Sequence, residues 1–236
     1  MAIASPVSFA ALIRHGDYQH QPQVPGAMQP YQLNADGELQ ARQCVPLLTD
    51  FSAQEELTIA ADIHTSCLLR AWQTADIIGQ GLAADGQAQL IETAQLTERS
   101  VGSMANLTLA QIEQVVHLDP RYADLPEGWK SNSHFCLPYP GAESLMQAGH
   151  RVADYIVQTM RMQQRSYGRG FIQIFVGHGA AFRHAAYHLG VMTQPAIKKF
   201  SMHYARPIFL RLDADQHWHH HSGEWKLRPD TSQYAD

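Results

Sequence analysis

Two short apolar runs in this chain each stop abruptly at a histidine beside glycine. The first, Val7-Ser8-Phe9-Ala10-Ala11-Leu12-Ile13, gives way to Arg14-His15-Gly16. The second, Phe171-Ile172-Gln173-Ile174-Phe175-Val176, gives way to Gly177-His178-Gly179. Each run has the length and apolar character of a buried strand. The residues that follow are wrong for a core and suit the carboxyl edge of a sheet, where open α/β sheets bind ligands. A chain with two such endings is constrained to an α/β fold that brings both edges together.

The rest of the chain supplies elements around these two strands. A helix is expected over residues 33–48, capped by Asn34, with Leu39, Cys44, Leu47 and Leu48 as its apolar stripe. A second strand is expected over 57–63. Ser66 is the expected cap of a helix running to Ile78, with Leu68, Trp72, Ala75 and Ile78 on its inner face. Arg70 lies in the first turns of that helix, off the stripe. Helical side chains lean toward the N-terminus, so its guanidinium should point back at the strand end. Residues 83–87 read as a turn, 90–91 as a short strand and 107–118 as a helix. The longest helix should span 143 to about 165, and another should follow His178 from 180 to 189. Residues 208–212 and 218–227 read as strands around a turn near Ser222-Gly223 at one edge of the fold. Two loops stand out. Residues 17–26 are rich in Gln, Pro and Gly and should wall the site. Residues 119–139 hold Pro120, Pro126, Gly128 and Pro138, and so long a loop reads as a lid or specificity insert.

A length of 236 residues suits one generous domain, residues 1–236, with a loop insert at about 119–140. The net charge of −5 gives no basic footprint for nucleic acid, and Lys198-Lys199 is too short a patch to supply one. Cys44, Cys67 and Cys136 form no Cys-x-x-Cys pair, which argues against a disulfide framework or zinc knuckle and for a reducing compartment. The first residues lack a basic, then apolar, leader pattern, and no apolar run approaches a membrane span. The expectation is a cytoplasmic protein with no membrane partner. His217, His219, His220 and His221 invite a metal assignment, but neighbouring strand residues point to opposite faces. They read as an exposed polar hairpin, and no metal site is expected.

The polar residues expected at element ends are Arg14, His15, Arg70, Glu98 and His178. Two arginines and two histidines converging on one point make an anion site, because guanidiniums bind oxyanions through paired N–H groups and stay charged. The backbone N–H groups of the helix opening at Gly179 add donors and a positive dipole end. A phosphoryl group fits that much positive charge, with His15 as its acceptor. Asp17, next to His15, rivals Glu98 as general acid.

In this order the stretches resemble the histidine phosphatase superfamily, the phosphoglycerate mutase-like family. Arg14-His15-Gly16 matches its phosphohistidine motif, and Ser66 through Arg70-Ala71-Trp72-Gln73-Thr74-Ala75 resembles its second-arginine helix. Leu96-Thr97-Glu98-Arg99 with Gly102 resembles its acid-bearing segment. Pro140-Gly141-Ala142-Glu143-Ser144 resembles the turn opening its long helix, and Gly177-His178-Gly179 with Arg183 its second-histidine motif.

The resemblance implies a three-layer α/β/α sandwich with a mainly parallel sheet. It implies that His15 attacks phosphorus, that Arg14, Arg70 and His178 hold the equatorial oxygens, and that Glu98 protonates the leaving group and then activates water. That first role calls for a Glu98 pKa above the ordinary value. No metal or other cofactor is implied, and Arg183 would support the site from behind. The partner is a small phosphorylated substrate, contacted by Gly179, Asp17, Tyr18, Arg121 and Lys130, within walls formed by 18–31 and 119–139. A homodimer is left open. Family mutases carry Ser, Trp and Asn soon after the nucleophile triplet, where this chain has Asp17-Tyr18-Gln19-His20. They also carry an adjacent arginine pair, where this chain has the separated Arg121 and Lys130. Both departures favour a phosphomonoesterase. Mutase-type phosphoryl transfer and a non-catalytic phospho-ligand binder are the alternatives.

Overall fold

A computed structural model describes residues 7–83 and 88–228. Beyond Ala83, the turn expected at 83–87 lies outside the described residues. The elements are β1 (Ser8–Arg14), α1 (Ala35–Gln54), β2 (Thr58–Ser66), α2 (Leu69–Leu82), β3 (Gln89–Thr93), α3 (Leu109–Leu118) and α4 (Leu145–Tyr167). After them come β4 (Phe171–Gly177), α5 (Gly179–His188), α6 (Gln194–Lys199), β5 (Phe200–Met202), β6 (Pro207–Leu212), β7 (Trp218–Ser222) and β8 (Trp225–Leu227).

Six strands form the main sheet in the order β3-β2-β4-β1-β6-β7. The first four run parallel, and β6 and β7 are antiparallel additions. β1 and β4 lie at the centre because they are apolar on both faces, as a doubly covered strand must be. One face packs α1 and α2 against Phe9, Ala11, Ile13, Ile172 and Ile174. The other packs α4 and α5 against Ala10, Leu12, Phe171 and Phe175. The expected three-layer α/β/α sandwich with a mainly parallel sheet is what the chain forms. Register then places the site: Arg14 is level with Gly177, so His15 and His178 leave adjacent strands side by side.

Several local expectations change. α1 is capped by Asn34, whose side chain accepts from Gly37 N–H, but it continues through Pro46 to Gln54. An interior proline costs a helix roughly 3 kcal/mol, and burial of Leu48 and Phe51 against the sheet offsets it. The buried face of α1 is Gly37, Ala41, Cys44, Leu48 and Phe51, while Leu39 and Leu47 are exposed. Ser66 does not cap α2; it ends β2, and Leu68 stands at the cap without a side-chain bond. The inner face of α2 is Arg70, Ala71, Thr74, Ala75, Ile78 and Gly79, so Arg70 lies on the buried face rather than off it. The long helix starts at Leu145 because Ser144 and Gln147 form a reciprocal capping box. Residues 218–227 do not form one hairpin. β7 pairs with β6 at the sheet edge, and after Gly223, at φ 87°, β8 pairs with β5 in a separate two-stranded sheet. No helix among the described residues is long and apolar enough to cross a membrane.

Candidate active site

His15 is 3% exposed, and its backbone N–H donates to Gly177 O at 2.9 Å, tying it to β4. Arg70 Nε reaches His15 Nε2 at 3.2 Å, and His15 Nδ1 lies 2.7 Å from Gly16 O. A guanidinium only donates, so Nε2 accepts and Nδ1 carries the hydrogen given to Gly16. The nitrogen facing the cluster therefore keeps its lone pair. Burial, then the charges of Arg70 and Arg14, hold the His15 pKa well below the ordinary histidine value. The ring is neutral at physiological pH, as a nucleophile must be.

Arg70 bridges the two histidines: Nη2 lies 3.3 Å from His178 Nδ1, and the two imidazole centroids are 5.1 Å apart. The His178 hydrogen is thus on Nε2, which donates to Ser66 Oγ at 2.9 Å. Burial and Arg70 also depress the His178 pKa well below the ordinary value. Arg70 additionally donates to the carbonyls of Gly26, Ala27 and Gln29, folding the Pro-rich loop over the cluster. Thr74, one turn on, accepts from Gly16 N–H at 3.0 Å. The first turns of α2 thereby fix both the nucleophile loop and its roof.

Arg14 extends along α5. A Cβ on Gly179 would sit 3.1 Å from Arg14 Cδ, so a larger residue there would press the Arg14 side chain aside. Arg14 Nη1 donates to Met202 O at 3.1 Å, and its guanidinium stacks 4.2 Å from the Tyr204 ring. Its Nε is buried with no hydrogen-bond partner among the described residues. A buried charged donor without an acceptor is costly, and an oxyanion beside His15 would satisfy it.

Glu98 lies against the α5 N-terminus. Its Oε2 accepts from Ala180 N–H at 3.1 Å and its Oε1 from Arg99 N–H at 2.9 Å. Glu98 and Ala180 face a cleft of about 600 Å³, walled by Pro25 and Ala27, by 130–134 of the insert and by α6.

The structure brings Arg14, His15, Arg70, His178 and Gly179 into one cluster, with Glu98 at its cleft-side margin. Tyr18 joins them, its ring 5.3 Å from His15 and 4.6 Å from the Arg70 guanidinium. Lys130 lines the cleft. Two expected substrate contacts lie elsewhere. Asp17 turns to the start of α1, where its carboxylate accepts from Asn34 Nδ2 and from Tyr18 N–H. Both carboxylate oxygens of Asp17 are thus engaged by hydrogen bonds at that cap. Arg121 is exposed and forked onto Asp119 at 2.9 and 2.7 Å, outside the cleft lining. Tyr204 and Ser66 touch the cluster without having been expected there. Ser66 carries the sequence signal of a helix cap, which masks its contact with His178; Tyr204 gives no sequence signal, since it reaches Arg14 only because β6 folds back beside β1.

The histidine stretch lies on the exposed β7. His219 pairs with Asp213 at 2.9 Å and His221 with Glu55 at 3.0 Å. Ligand atoms of Asp213, Asp215 and His217 come within 4.8 Å of one another. That turn joins β6 to β7 beside the start of β1, the sheet edge opposite His15.

A buried neutral imidazole whose Nε2 lone pair faces the Arg70 guanidinium, with Arg14 and a second histidine beside it on a mainly parallel sheet, has the chemistry that histidine-based phosphoryl transfer needs. The sequence profile of the histidine phosphatase superfamily (branch 1) matches residues 10–223, and the chain belongs to that family. A 2,3-bisphosphoglycerate-dependent phosphoglycerate mutase of Brucella anthropi is 30% identical over 159 residues, covering 64% of this chain and 68% of that protein. Among solved structures, the phosphoglycerate mutase of Bacillus anthracis superposes with a TM-score of 0.69 at 16% identity, covering 93% of this chain and 94% of that one. A mycobacterial glucosyl-3-phosphoglycerate phosphatase superposes with a TM-score of 0.62 at 17% identity, covering 94% and 97%. Members of this family are phosphoryl-transfer enzymes, and the similar proteins include both mutases and phosphatases.

Proposed function

We propose that this protein hydrolyses a small phosphomonoester through a phosphohistidine on His15. The observation that carries the reading is the cleft of about 600 Å³ that opens beside Glu98 and the α5 N-terminus. The cleft lies against Glu98, the group that would activate water against a phosphorylated His15. The position of Arg121, exposed and held by Asp119, agrees, since it gives the cleft no second arginine from that part of the insert.

The placements support the following steps. The His15 Nε2 lone pair attacks phosphorus in line as the ester P–O bond breaks. The Nδ1–H bond to Gly16 O holds the ring in register and stabilises the charge it gains. Arg14 Nε, Arg70 and the α5 N-terminus stabilise the equatorial oxygens, where transition-state charge accumulates. Glu98 gives its proton to the leaving alkoxide. Water then attacks the phosphohistidine, Glu98 takes the water proton, and the P–N bonding pair returns to Nε2 as phosphate leaves.

The mutase alternative is favoured by the identity to the Brucella anthropi enzyme. Two assays separate the readings. The wild type releases p-nitrophenol from p-nitrophenyl phosphate between pH 5 and 8, and His15→Ala does not. With 3-phosphoglycerate and a 2,3-bisphosphoglycerate primer, phosphate release exceeds 2-phosphoglycerate formation. Robust interconversion without phosphate release would reverse the assignment.

A further inference from the structure

Arg14 and Arg70 bring two positive charges to one cluster, and they oppose each other: Arg14 is among the charges that lower the Arg70 pKa. Among the described residues neither guanidinium pairs with a carboxylate. Arg14 donates to Met202 O, and Arg70 donates to the two histidines and three loop carbonyls. Each instead has a tyrosine ring beside it, Tyr18 at 4.6 Å from the Arg70 guanidinium and Tyr204 at 4.2 Å from that of Arg14. An aromatic face attracts a cation through its quadrupole. It takes up none of the N–H groups, whereas a carboxylate would occupy them and compete with an incoming anion.

The segment joining β5 to β6 grips Arg14 at three points. Met202 O accepts from Nη1 at 3.1 Å, Ala205 N–H donates to Arg14 O at 2.8 Å, and the Tyr204 ring covers the guanidinium. Ala205 carries a Cβ yet sits at φ 47°, in the left-handed region, and is 1% exposed. A non-glycine residue keeps such a conformation only where its surroundings over-determine it. Here the turn delivers Ala205 N–H to the end of β1 with Tyr204 directly before it. The Tyr204 ring also lies 5.8 Å from that of His15, so one side chain adjoins both the nucleophile and its neighbouring arginine. Arg14 Nε is left buried and without a hydrogen-bond partner among the described residues. We propose that Tyr204 is a positioning residue: its ring holds the Arg14 guanidinium beside His15 with Nε free for an equatorial oxygen of the phosphoryl group. This rests on the phosphoryl-transfer reading of the site and deepens it. The ring face makes the contact, so the hydroxyl is dispensable.

Two measurements on the full chain test this: calorimetric titration with inorganic phosphate, and orthovanadate inhibition of p-nitrophenyl phosphate hydrolysis. The variants are Tyr204→Phe, Tyr204→Leu, Arg14→Ala and the Tyr204→Leu/Arg14→Ala double. Leucine keeps apolar bulk and removes the ring. Tyr204→Leu should bind both anions about tenfold more weakly, the scale of a desolvated cation–π contact. Tyr204→Phe, the conservative variant, should rescue that loss to within about twofold of wild type. In the Arg14→Ala background Tyr204→Leu should add less than about twofold, because the guanidinium it held is gone; a merely structural tyrosine would cost the same with or without Arg14. Should Tyr204→Leu fail to fold, phenylalanines with one, two or three ring fluorines at 204 keep the shape and weaken the ring face stepwise, and anion affinity should fall in step. Wild-type affinity in Tyr204→Leu, a flat fluorine series, a loss undiminished in the Arg14→Ala background, or Tyr204→Phe as damaging as Tyr204→Leu overturns the positioning role. Failure of the phosphoryl-site reading looks different, since Arg14→Ala then binds phosphate as tightly as the wild type, and the positioning role falls with it. If only hydrolysis fails, p-nitrophenyl phosphate is not turned over by the wild type, and the phosphate titrations decide the role of Tyr204 by affinity alone.

Discussion

Arg70 is 1% exposed and makes five hydrogen bonds, to His15, His178 and the carbonyls of Gly26, Ala27 and Gln29. Desolvation depresses its pKa, but a guanidinium stays charged all the same. Lysine would keep the charge and lose the fork. Arg70→Lys should therefore lower kcat by about 10²–10³, the usual cost of one transition-state donor, and also lower Tm because the fork that holds the three loop carbonyls is lost. A kinetic and melting comparison checks this; an unchanged Tm would mean the roof does not depend on Arg70. The depressed His15 pKa has its own consequence. An ordinary histidine would impose an acid limb near pH 6.5 on kcat/KM. Here that limb should fall clearly below pH 6.5, and a pH–rate profile in free-enzyme conditions reads it directly.

Glu98 belongs to no regular element, yet its segment is held from several sides. Arg151 of α4 donates to the carbonyls of Ala94, Gln95 and Thr97 and pairs with Glu143 at 2.5 Å. Glu143 in turn accepts from Ser100 N–H at 3.1 Å, and its own N–H donates to Ser100 O at 3.0 Å. α4 thus carries a clamp that sets where Glu98 meets α5. Arg151→Ala should lower kcat by about tenfold through misplacement of the acid, while adding little in the Glu98→Gln background. Full additivity of the two would show that the clamp acts elsewhere. Much of this scale was legible in the sequence: both histidine-bearing strands, the Asn34 cap and the opening of the long helix have local chemical signals. Other features were not. The register of α2 slipped because Ser66 looks like a cap, whereas its hydroxyl is taken by His178 across the sheet. The role of Tyr204 depends on β6 lying beside β1, a long-range pairing that local pattern does not encode.

At the scale of the molecule, three buried histidines tie stability to pH. His15 and His178 titrate well below 6.5 in the folded chain, and burial pushes His184 down to about 4. His184 Nδ1 donates to Ala180 O at 2.7 Å, and its Nε2 accepts from Ser133 Oγ at 3.0 Å, pinning the insert to α5. In the unfolded chain each ring takes a proton near 6.5. Between that value and the folded pKa the unfolded state binds more protons, so stability is complete above about pH 6.5 and is lost as pH falls. His184 alone should cost roughly 3 kcal/mol by pH 4. Thermal melts from pH 8 to 4.5 should show Tm constant at the alkaline end and falling steadily below 6.5; a flat profile throughout would contradict the buried neutral assignments.

The sheet order could be argued from the two strand endings, because a shared anion requires β1 and β4 to be neighbours. The separate β5–β8 sheet could not be, since nothing local says that residues 223–227 leave the main sheet. All of these placements converge on the His15 Nε2 lone pair. The most direct measurement is to mix enzyme with phosphomonoester, quench in alkali during turnover and map the phosphorylated residue. The account predicts one alkali-stable, acid-labile phosphoryl group on His15, absent from His15→Ala. Turnover with no phosphoenzyme, or with phosphate on any other residue, would contradict it.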